Sequence, residues 1–95
     1  MIDKYLEDKR KDIADTDREI MELLRKRLDI VMDIGRYKAE NGLEVIDPDT
    51  EKRVIARYRD IAIEMGLDPT RCETICKIIM EESVEKEKHI QRDEE

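Results

Sequence analysis

Charged side chains interrupt the apolar face of the first predicted helix. Between residues 6 and 38, positions separated by alternating steps of four and three residues form one line, the spacing of a helix face that packs against other helices. That line consists of Leu6, Arg10, Ile13, Asp17, Ile20, Leu24, Arg27, Val31, Ile34 and Lys38. Because a buried charge is costly unless something pairs with it, we expect this face to meet counter-charges or an anionic ligand.

The three cations on this face indicate the kind of ligand. Arg27 and Lys38 are eleven residues apart, about 16 Å along one helix face, so their long side chains can lean toward one small molecule. Arg10 precedes Arg27 by seventeen residues, about 25 Å along the axis, which is too far for one chain to bring both to that molecule. In a two-fold dimer with antiparallel long helices, Arg10 of one chain approaches Arg27 of the other. Two arginines and a lysine that converge on one pocket suit a compact dicarboxylate.

Polar residues on the other predicted helices extend this set. Glu51 lies in the first turn of the second helix, and Ser83 and Glu87 interrupt the apolar face of the third. They supply acceptors and donors for hydroxyl or ether oxygens. The sequence contains no Ser–His or Cys–His pair and no Gly-rich phosphate loop. It therefore supports neither covalent nor metal-dependent catalysis, and we expect no cofactor.

Buried salt bridges that fix helix register are the structural alternative for the charged face. Arg10 or Arg27 would then pair with Asp17 or Glu87, as single polar residues on coiled-coil faces do. A single polar or charged residue on the apolar faces would favour that alternative. Five such residues on two helices, Arg10, Arg27, Lys38, Ser83 and Glu87, favour a ligand site, and Asp17 is then left with a structural role.

Composition excludes several classes of partner. The net charge is −7, with 47% charged and 39% hydrophobic residues, which is typical of amphipathic helices with charged outer faces. The negative charge argues against binding to nucleic acid or an anionic membrane. No segment reaches the roughly 20 apolar residues that span a bilayer, and no signal peptide is visible. Two cysteines on an apolar helix face are predicted to be buried free thiols, and the single histidine lies too far from them for a metal site. We therefore predict a cytoplasmic protein.

Start and stop signals predict three helices and no strand, an all-α fold in one domain over residues 1–95. The predicted helices cover about residues 2–40, 48–65 and 69–90. Asn41-Gly42 ends the first helix, and Asp-Pro pairs at 47–48 and 68–69 begin the other two. The charged tail from Gln91 is expected to fray.

The length of the first helix predicts a dimer. From Leu6 to Lys38 it would be about 50 Å long, whereas a compact chain of this size is about 30 Å across. The overhanging turns carry apolar residues, and a second copy is their simplest cover. We therefore predict an intertwined two-fold homodimeric bundle, against the alternative of a monomer whose first helix bends or breaks near Gly35.

An ordered set of short motifs resembles the all-helical, AroQ-class chorismate mutases over nearly the whole chain. The motifs are Arg10-Lys11-Asp12-Ile13 with Asp17, Leu23-Leu24 with Arg27, Ile34-Gly35-Arg36-Tyr37-Lys38, Asp47-Pro48-Asp49 with Glu51, and Ile78-Ile79-Met80-Glu81-Glu82-Ser83. Each motif is weak alone, but the ordered set at these spacings is specific. The resemblance implies two interlocked three-helix chains, each site borrowing one arginine from the other chain. It also implies conversion of chorismate to prephenate.

The resemblance implies catalytic roles for Lys38, Arg27 and Glu87. Arg27 and Arg10 of the partner chain would bind the two carboxylates, and Lys38 would contact a carboxylate and the ether oxygen. The rearrangement needs no nucleophile and no proton transfer, so catalysis rests on positioning and on positive charge at the ether oxygen. Glu87 would reach the same oxygen, and it donates a hydrogen bond only when protonated. We therefore expect turnover to rise as pH falls.

The remaining matched positions lie near the ring of the substrate. Glu51 would accept the ring hydroxyl with help from the backbone near Asp47, and Ser83 would help to hold a carboxylate. Thr50 departs from the resemblance, because many relatives carry an arginine there. Arg53, one turn later, is a candidate substitute.

Two other functions compete with the mutase interpretation. One is a non-catalytic helical dimerisation module whose charges set pairing. The other is a pyruvate lyase that acts on isochorismate with the same carboxylate clamp. The presence of Glu51 for a ring hydroxyl favours the mutase. The length of 95 residues argues against a fused dehydrogenase, dehydratase or synthase domain in this chain.

Overall fold

Three α-helices make up the computed structural model, which describes residue 1 and residues 3–94 apart from the side chain of residue 94. They are α1 (Lys4–Glu40), α2 (Pro48–Glu64) and α3 (Pro69–Glu94). No strand occurs in this described part of the chain. The all-α prediction is therefore confirmed for these residues.

The helix starts follow the capping chemistry of their Asp-Pro pairs. The Asp47 carboxylate accepts hydrogen bonds from the backbone N–H groups of residues 49 and 50, and Pro48 occupies the first turn of α2. Asp68 accepts in the same way from the amides of residues 70 and 71, at 2.9 and 3.0 Å. Each carboxylate thus satisfies N–H groups that a helix start leaves without partners.

The helix ends agree less closely with the sequence. Gly42 and Gly66, with φ of 62° and 71°, end α1 and α2 through the left-handed conformation that glycine tolerates. Helix α1 runs unbroken through Gly35, so the alternative of a break there is wrong. Helix α3 continues to Glu94, four residues beyond its predicted end near residue 90, and the fraying from Gln91 stays a prediction. A basic residue, Arg92, lies in the last turn of this extension, where it is favourable for the helix dipole. The predicted start near residue 2 lies outside the described residues.

The chain divides into two compact units, Met1–Ile30 and Val31–Glu95. None of the described residues in the first unit is buried. Leu6, Ile13 and Ile20 follow one another at seven-residue spacing and are 43%, 59% and 50% exposed. A helix face of this kind gains its stability by packing against another surface. The assignment of a single domain to residues 1–95 stays a prediction.

The core of the second unit lies where α2 packs against α3. Ala62 of α2 and Cys76 of α3 are almost completely buried, and Val31 of α1 is buried as well. Cys76 is a buried free thiol as predicted, whereas Cys72 is a half-buried one. Among the described helices, none combines the length and the apolar character that crossing a bilayer requires.

Candidate active site

A mostly buried ion pair joins the end of α1 to α3. The Lys38 Nζ donates to Glu87 Oε2 at 3.1 Å and to the Val45 carbonyl oxygen at 2.9 Å. The Glu87 side chain is 9% exposed and that of Lys38 is 21% exposed, whereas most other ion pairs join exposed residues three or four positions apart. An ammonium group has three N–H donors, so these two bonds leave one N–H for a ligand.

The loop after α1 holds the Lys38 side chain in place. The backbone N–H of Leu43 donates to the Lys38 carbonyl at 2.9 Å, and the Val45 carbonyl accepts from the Lys38 ammonium. The loop therefore closes back over Lys38 in the last turn of α1. An ammonium fixed in this way pays little entropy when it meets a negative charge, which is the requirement for electrostatic catalysis.

A hydrogen-bonded chain of three side chains covers the start of α2. Thr50 Oγ1 donates to Asp47 Oδ2 at 2.8 Å, and Arg53 Nη2 donates to Thr50 Oγ1 at 3.1 Å. The Thr50 hydroxyl holds the pKa of the Asp47 carboxyl below its ordinary value, and the Thr50 backbone N–H and the Arg53 charge act in the same direction. Arg53 thus brings a guanidinium to the turn where Thr50 departs from the resemblance.

Glu51 is half-buried beside an open groove between α2 and α3. The groove has a volume of about 570 Å³, within the range of small-molecule sites. The residues lining it are Ile46, Glu51, Ile55, Lys77, Met80, Glu81, Val84, Glu85 and Lys88. Neither Lys38 nor Glu87 is among them, so this groove contains Glu51 without the ion pair.

Ser83 is half-buried on α3, one turn before Glu87. Its hydroxyl donates to the Ile79 carbonyl of its own helix at 3.0 Å, a bond that serine commonly makes inside helices. To donate to a substrate carboxylate, the hydroxyl would have to leave that carbonyl. Ser83 thus lies near Glu87 along α3, and its hydroxyl proton is already used in a hydrogen bond within the helix.

The two predicted arginines lie in the first unit, where Arg10 is exposed and Arg27 is half-buried. Within the described residues no ion pair joins Arg10 to Asp17, and Glu87 pairs with Lys38. The alternative of register-fixing salt bridges therefore gains no support for Arg10, whereas the Lys38–Glu87 ion pair is a buried pair between helices of the kind that this alternative expects. Across the same residues no group of histidine, cysteine and carboxylate side chains is arranged to hold a metal ion.

Sequence reasoning missed one functional contact and one pairing. The Val45 carbonyl anchors Lys38, but a backbone acceptor leaves no signal in the sequence. Lys38 and Glu87 were both predicted as site residues, each toward the ligand, whereas the structure pairs them with each other. Their opposite charges on facing apolar helix surfaces were the available signal.

The Asp47 cap predicts a pH effect on stability. The lowered folded-state pKa means that the ionised carboxylate stabilises the fold above its unfolded-state pKa, and that this stabilisation is lost as pH falls through the folded value. Asparagine keeps the cap without the charge. Between about pH 5 and pH 2 we therefore expect the Tm of the wild type to fall more steeply than that of Asp47→Asn in circular dichroism melts.

The matched control for this prediction is Asp49→Asn, which removes a charge from the same turn without removing the cap acceptor. Its Tm should follow the wild-type dependence on pH more closely than Asp47→Asn does. Parallel curves for the wild type and Asp47→Asn would show that the charge of the cap has no part in stability.

The comparisons with known proteins match most of the chain. The family model for chorismate mutase type II matches residues 9–88, a range that contains all seven predicted site residues. The T-proteins of Enterobacter agglomerans and Haemophilus influenzae are each 32% identical to the chain, over 78 and 82 residues, or 82% and 86% of the chain. The matched regions are 21% and 22% of those proteins, so the chain spans about a fifth of their length.

A shorter relative matches along most of its own length. The chorismate mutase of Methanocaldococcus jannaschii is 30% identical over 81 residues, which cover 85% of this chain and 81% of that protein. The family match covers the region of the three helices that carries Lys38, Glu51 and Glu87. The chain therefore belongs to the chorismate mutase type II family.

Proposed function

We propose that this chain catalyses the rearrangement of chorismate to prephenate, on the route to phenylalanine and tyrosine. The observation that carries the proposal is the mostly buried Lys38 ammonium, held by Glu87 and Val45 with one N–H to spare, within the region that the family model matches. In the reaction one C–O bond breaks and one C–C bond forms in the same molecule. The chemistry requires neither a nucleophile nor a cofactor.

Lys38 has the central role in the proposed mechanism. Negative charge grows on the ether oxygen as the C–O bond breaks, and a preorganised ammonium in a water-poor site stabilises that charge. The rest of the pocket holds the enolpyruvyl arm over the ring, which converts an improbable conformation into the bound one. Burial of the Lys38–Glu87 pair and the closure of the loop onto Lys38 both support this role.

We assign the remaining contacts by their chemistry and by the family resemblance. Arg27 and the partner chain's Arg10 bind the two substrate carboxylates, with Ser83 assisting. Glu51 accepts the ring hydroxyl, and the backbone at Asp47 helps to orient it. The half-buried setting of Glu51 in the first turn of α2 and the ordered Asp47 cap support these assignments.

The proposed site requires an intertwined homodimer. The exposed apolar residues Leu6, Ile13 and Ile20 lie on the face that carries Arg10, so a partner that covers this face also receives that arginine. A second copy of the chain offers the same face, which is the arrangement of a two-fold interface. We place the dimer in the cytoplasm, a reducing compartment that suits the free thiol of Cys76.

Glu87 makes the proposed reaction sensitive to pH. A carboxylate offers no donor to the ether oxygen, whereas a carboxylic acid or an amide does. We expect the kcat of the wild type to rise as pH falls through the acid range, and the profile of Glu87→Gln to be flatter and higher at neutral pH. The measurement is a pH–rate profile of both proteins. A flat wild-type profile would remove Glu87 from this role.

Product identification tests the proposed function against the lyase alternative. Purified protein is incubated separately with chorismate and with isochorismate, and the products are followed by proton NMR together with an enzymatic pyruvate assay. The mutase proposal expects stoichiometric prephenate from chorismate without pyruvate. Release of pyruvate from isochorismate, with chorismate left unchanged, would instead identify a lyase.

A further inference from the structure

Gly35 lies in the interior of α1, where glycine is unfavourable. It is buried, and α1 continues for five residues beyond it to Glu40. Apart from proline, glycine is the residue least suited to a helix interior, because it loses the most backbone freedom on folding. The backbone here has an ordinary helical conformation, so the reason is not a positive φ. The space beside the Cα atom is the remaining explanation.

That space is filled by α3. A Cβ atom on Gly35 would lie 3.2 Å from Ile90 Cδ1, 3.3 Å from Glu87 Cγ and 3.4 Å from Glu87 Cα. The Ile90 atom ends a flexible side chain and can rotate away. The distance to Glu87 Cα is an ordinary van der Waals contact, whereas the distance to Glu87 Cγ is tighter than usual. Because Glu87 Cγ belongs to the stem of a carboxylate that Lys38 holds, it moves only if α3 or the ion pair moves.

We propose that Gly35 is a positioning residue that sets the geometry of the Lys38–Glu87 pair. Gly35 lies three residues before Lys38, close to one helical turn, so this close contact of α1 with α3 falls beside the ion pair. With no side chain between them, Glu87 Oε2 comes to 3.1 Å from Lys38 Nζ. The effect of Gly35 on kcat rests on the proposed function, whereas its effect on the distance between Lys38 and Glu87 does not.

Alanine at position 35 is the sharpest test. The methyl group adds helix propensity to α1 and displaces Glu87 by a few tenths of an ångström, so we expect a folded protein with a misaligned pair. In Gly35→Ala the kcat should fall about tenfold with a nearly unchanged KM, because small displacements at the reacting centre reduce rate more than binding. The rise of kcat at acid pH should become weaker. A general packing defect would lower Tm without this division between kcat and KM.

The double variant Gly35→Ala/Ile90→Val separates the two neighbours of the added methyl group. It removes the Ile90 Cδ1 contact and leaves both Glu87 contacts in place. The smaller valine also leaves space for the added methyl group, so the double variant can fold even if Gly35→Ala alone does not. We expect its kcat to stay low. Restoration of kcat to the wild-type value would show that Gly35 only makes room for Ile90, and would overturn the inference.

Crystal structures of the wild type and Gly35→Ala supply a readout that does not depend on activity. We expect the distance from Lys38 Nζ to Glu87 Oε2 to lengthen in the variant. An unchanged distance together with an unchanged kcat would overturn the positioning role. If the wild type did not convert chorismate and the distance still lengthened, the proposed function would fail while the positioning role of Gly35 would stand.

Discussion

Replacement of Lys38 by alanine is expected to lower kcat by about 10²- to 10³-fold, the usual cost of removing one preorganised donor from a developing oxyanion. The ammonium is held by the Val45 carbonyl and by Glu87, and neither of these acceptors can replace it. The measurement is steady-state kinetics with chorismate. Near-normal turnover in this variant would remove Lys38 from the mechanism.

The same replacement also affects stability, which the sequence did not predict. Removing Lys38 leaves the Glu87 carboxylate 9% exposed and without its ammonium partner, and an unsatisfied buried acceptor costs about 1–3 kcal/mol. The double variant Lys38→Ala/Glu87→Gln avoids that orphaned charge. It should recover much of the lost Tm while its kcat stays low, which separates the catalytic role from the structural one. Lys86→Ala, an exposed neighbour on α3, is the control for loss of a lysine.

Mixing two inactive variants is expected to restore activity. Arg10→Ala and Arg27→Ala should each lose most of their turnover, because each removes one carboxylate contact from every site. In a mixed dimer, the Arg10→Ala chain still supplies Arg27 and the Arg27→Ala chain still supplies Arg10, so one site is complete. The other site lacks both arginines. Random exchange makes half of the dimers mixed, so activity should return to about a quarter of the wild-type value.

A second mixture controls this experiment. Arg27→Ala and Lys38→Ala remove residues that one chain supplies to the same site, so no site in their mixed dimer is complete and no activity should return. The two mixtures are prepared by unfolding and refolding equal amounts of each pair, and activity is compared with that of the unmixed variants. Absence of restoration in the first mixture would mean that Arg10 does not cross to the partner's site.

The positions of the helices could be read from local chemistry. Asp47 and Asp68 mark starts because their carboxylates satisfy the first N–H groups, and Gly42 marks an end because it tolerates a positive φ. Such signals act over three or four residues and are visible in the sequence. The end of α3 was missed because the helix continues for four residues past its last apolar residue, Ile90, where the sequence carries no stop signal.

The pairing within the candidate site could not be read in this way. Lys38 and Glu87 lie 49 residues apart, and only the packing of α1 on α3 decides that their charges meet each other. The anchoring of Lys38 by the Val45 carbonyl depends on the path of a loop, and the role of Gly35 depends on a contact that a missing side chain permits. The roles of Arg10, Arg27 and Ser83 toward a substrate stay predictions.

The rate at which chorismate absorbance is lost in the presence of purified protein tests the central claim most directly. That claim is that a fixed ammonium in a shared, largely apolar pocket rearranges a doubly negative substrate. We predict a rate proportional to protein concentration, abolished to near the buffer rate in Lys38→Ala/Glu87→Gln although that variant keeps the helical circular dichroism spectrum. Loss of absorbance at the buffer rate with folded wild-type protein would contradict the account.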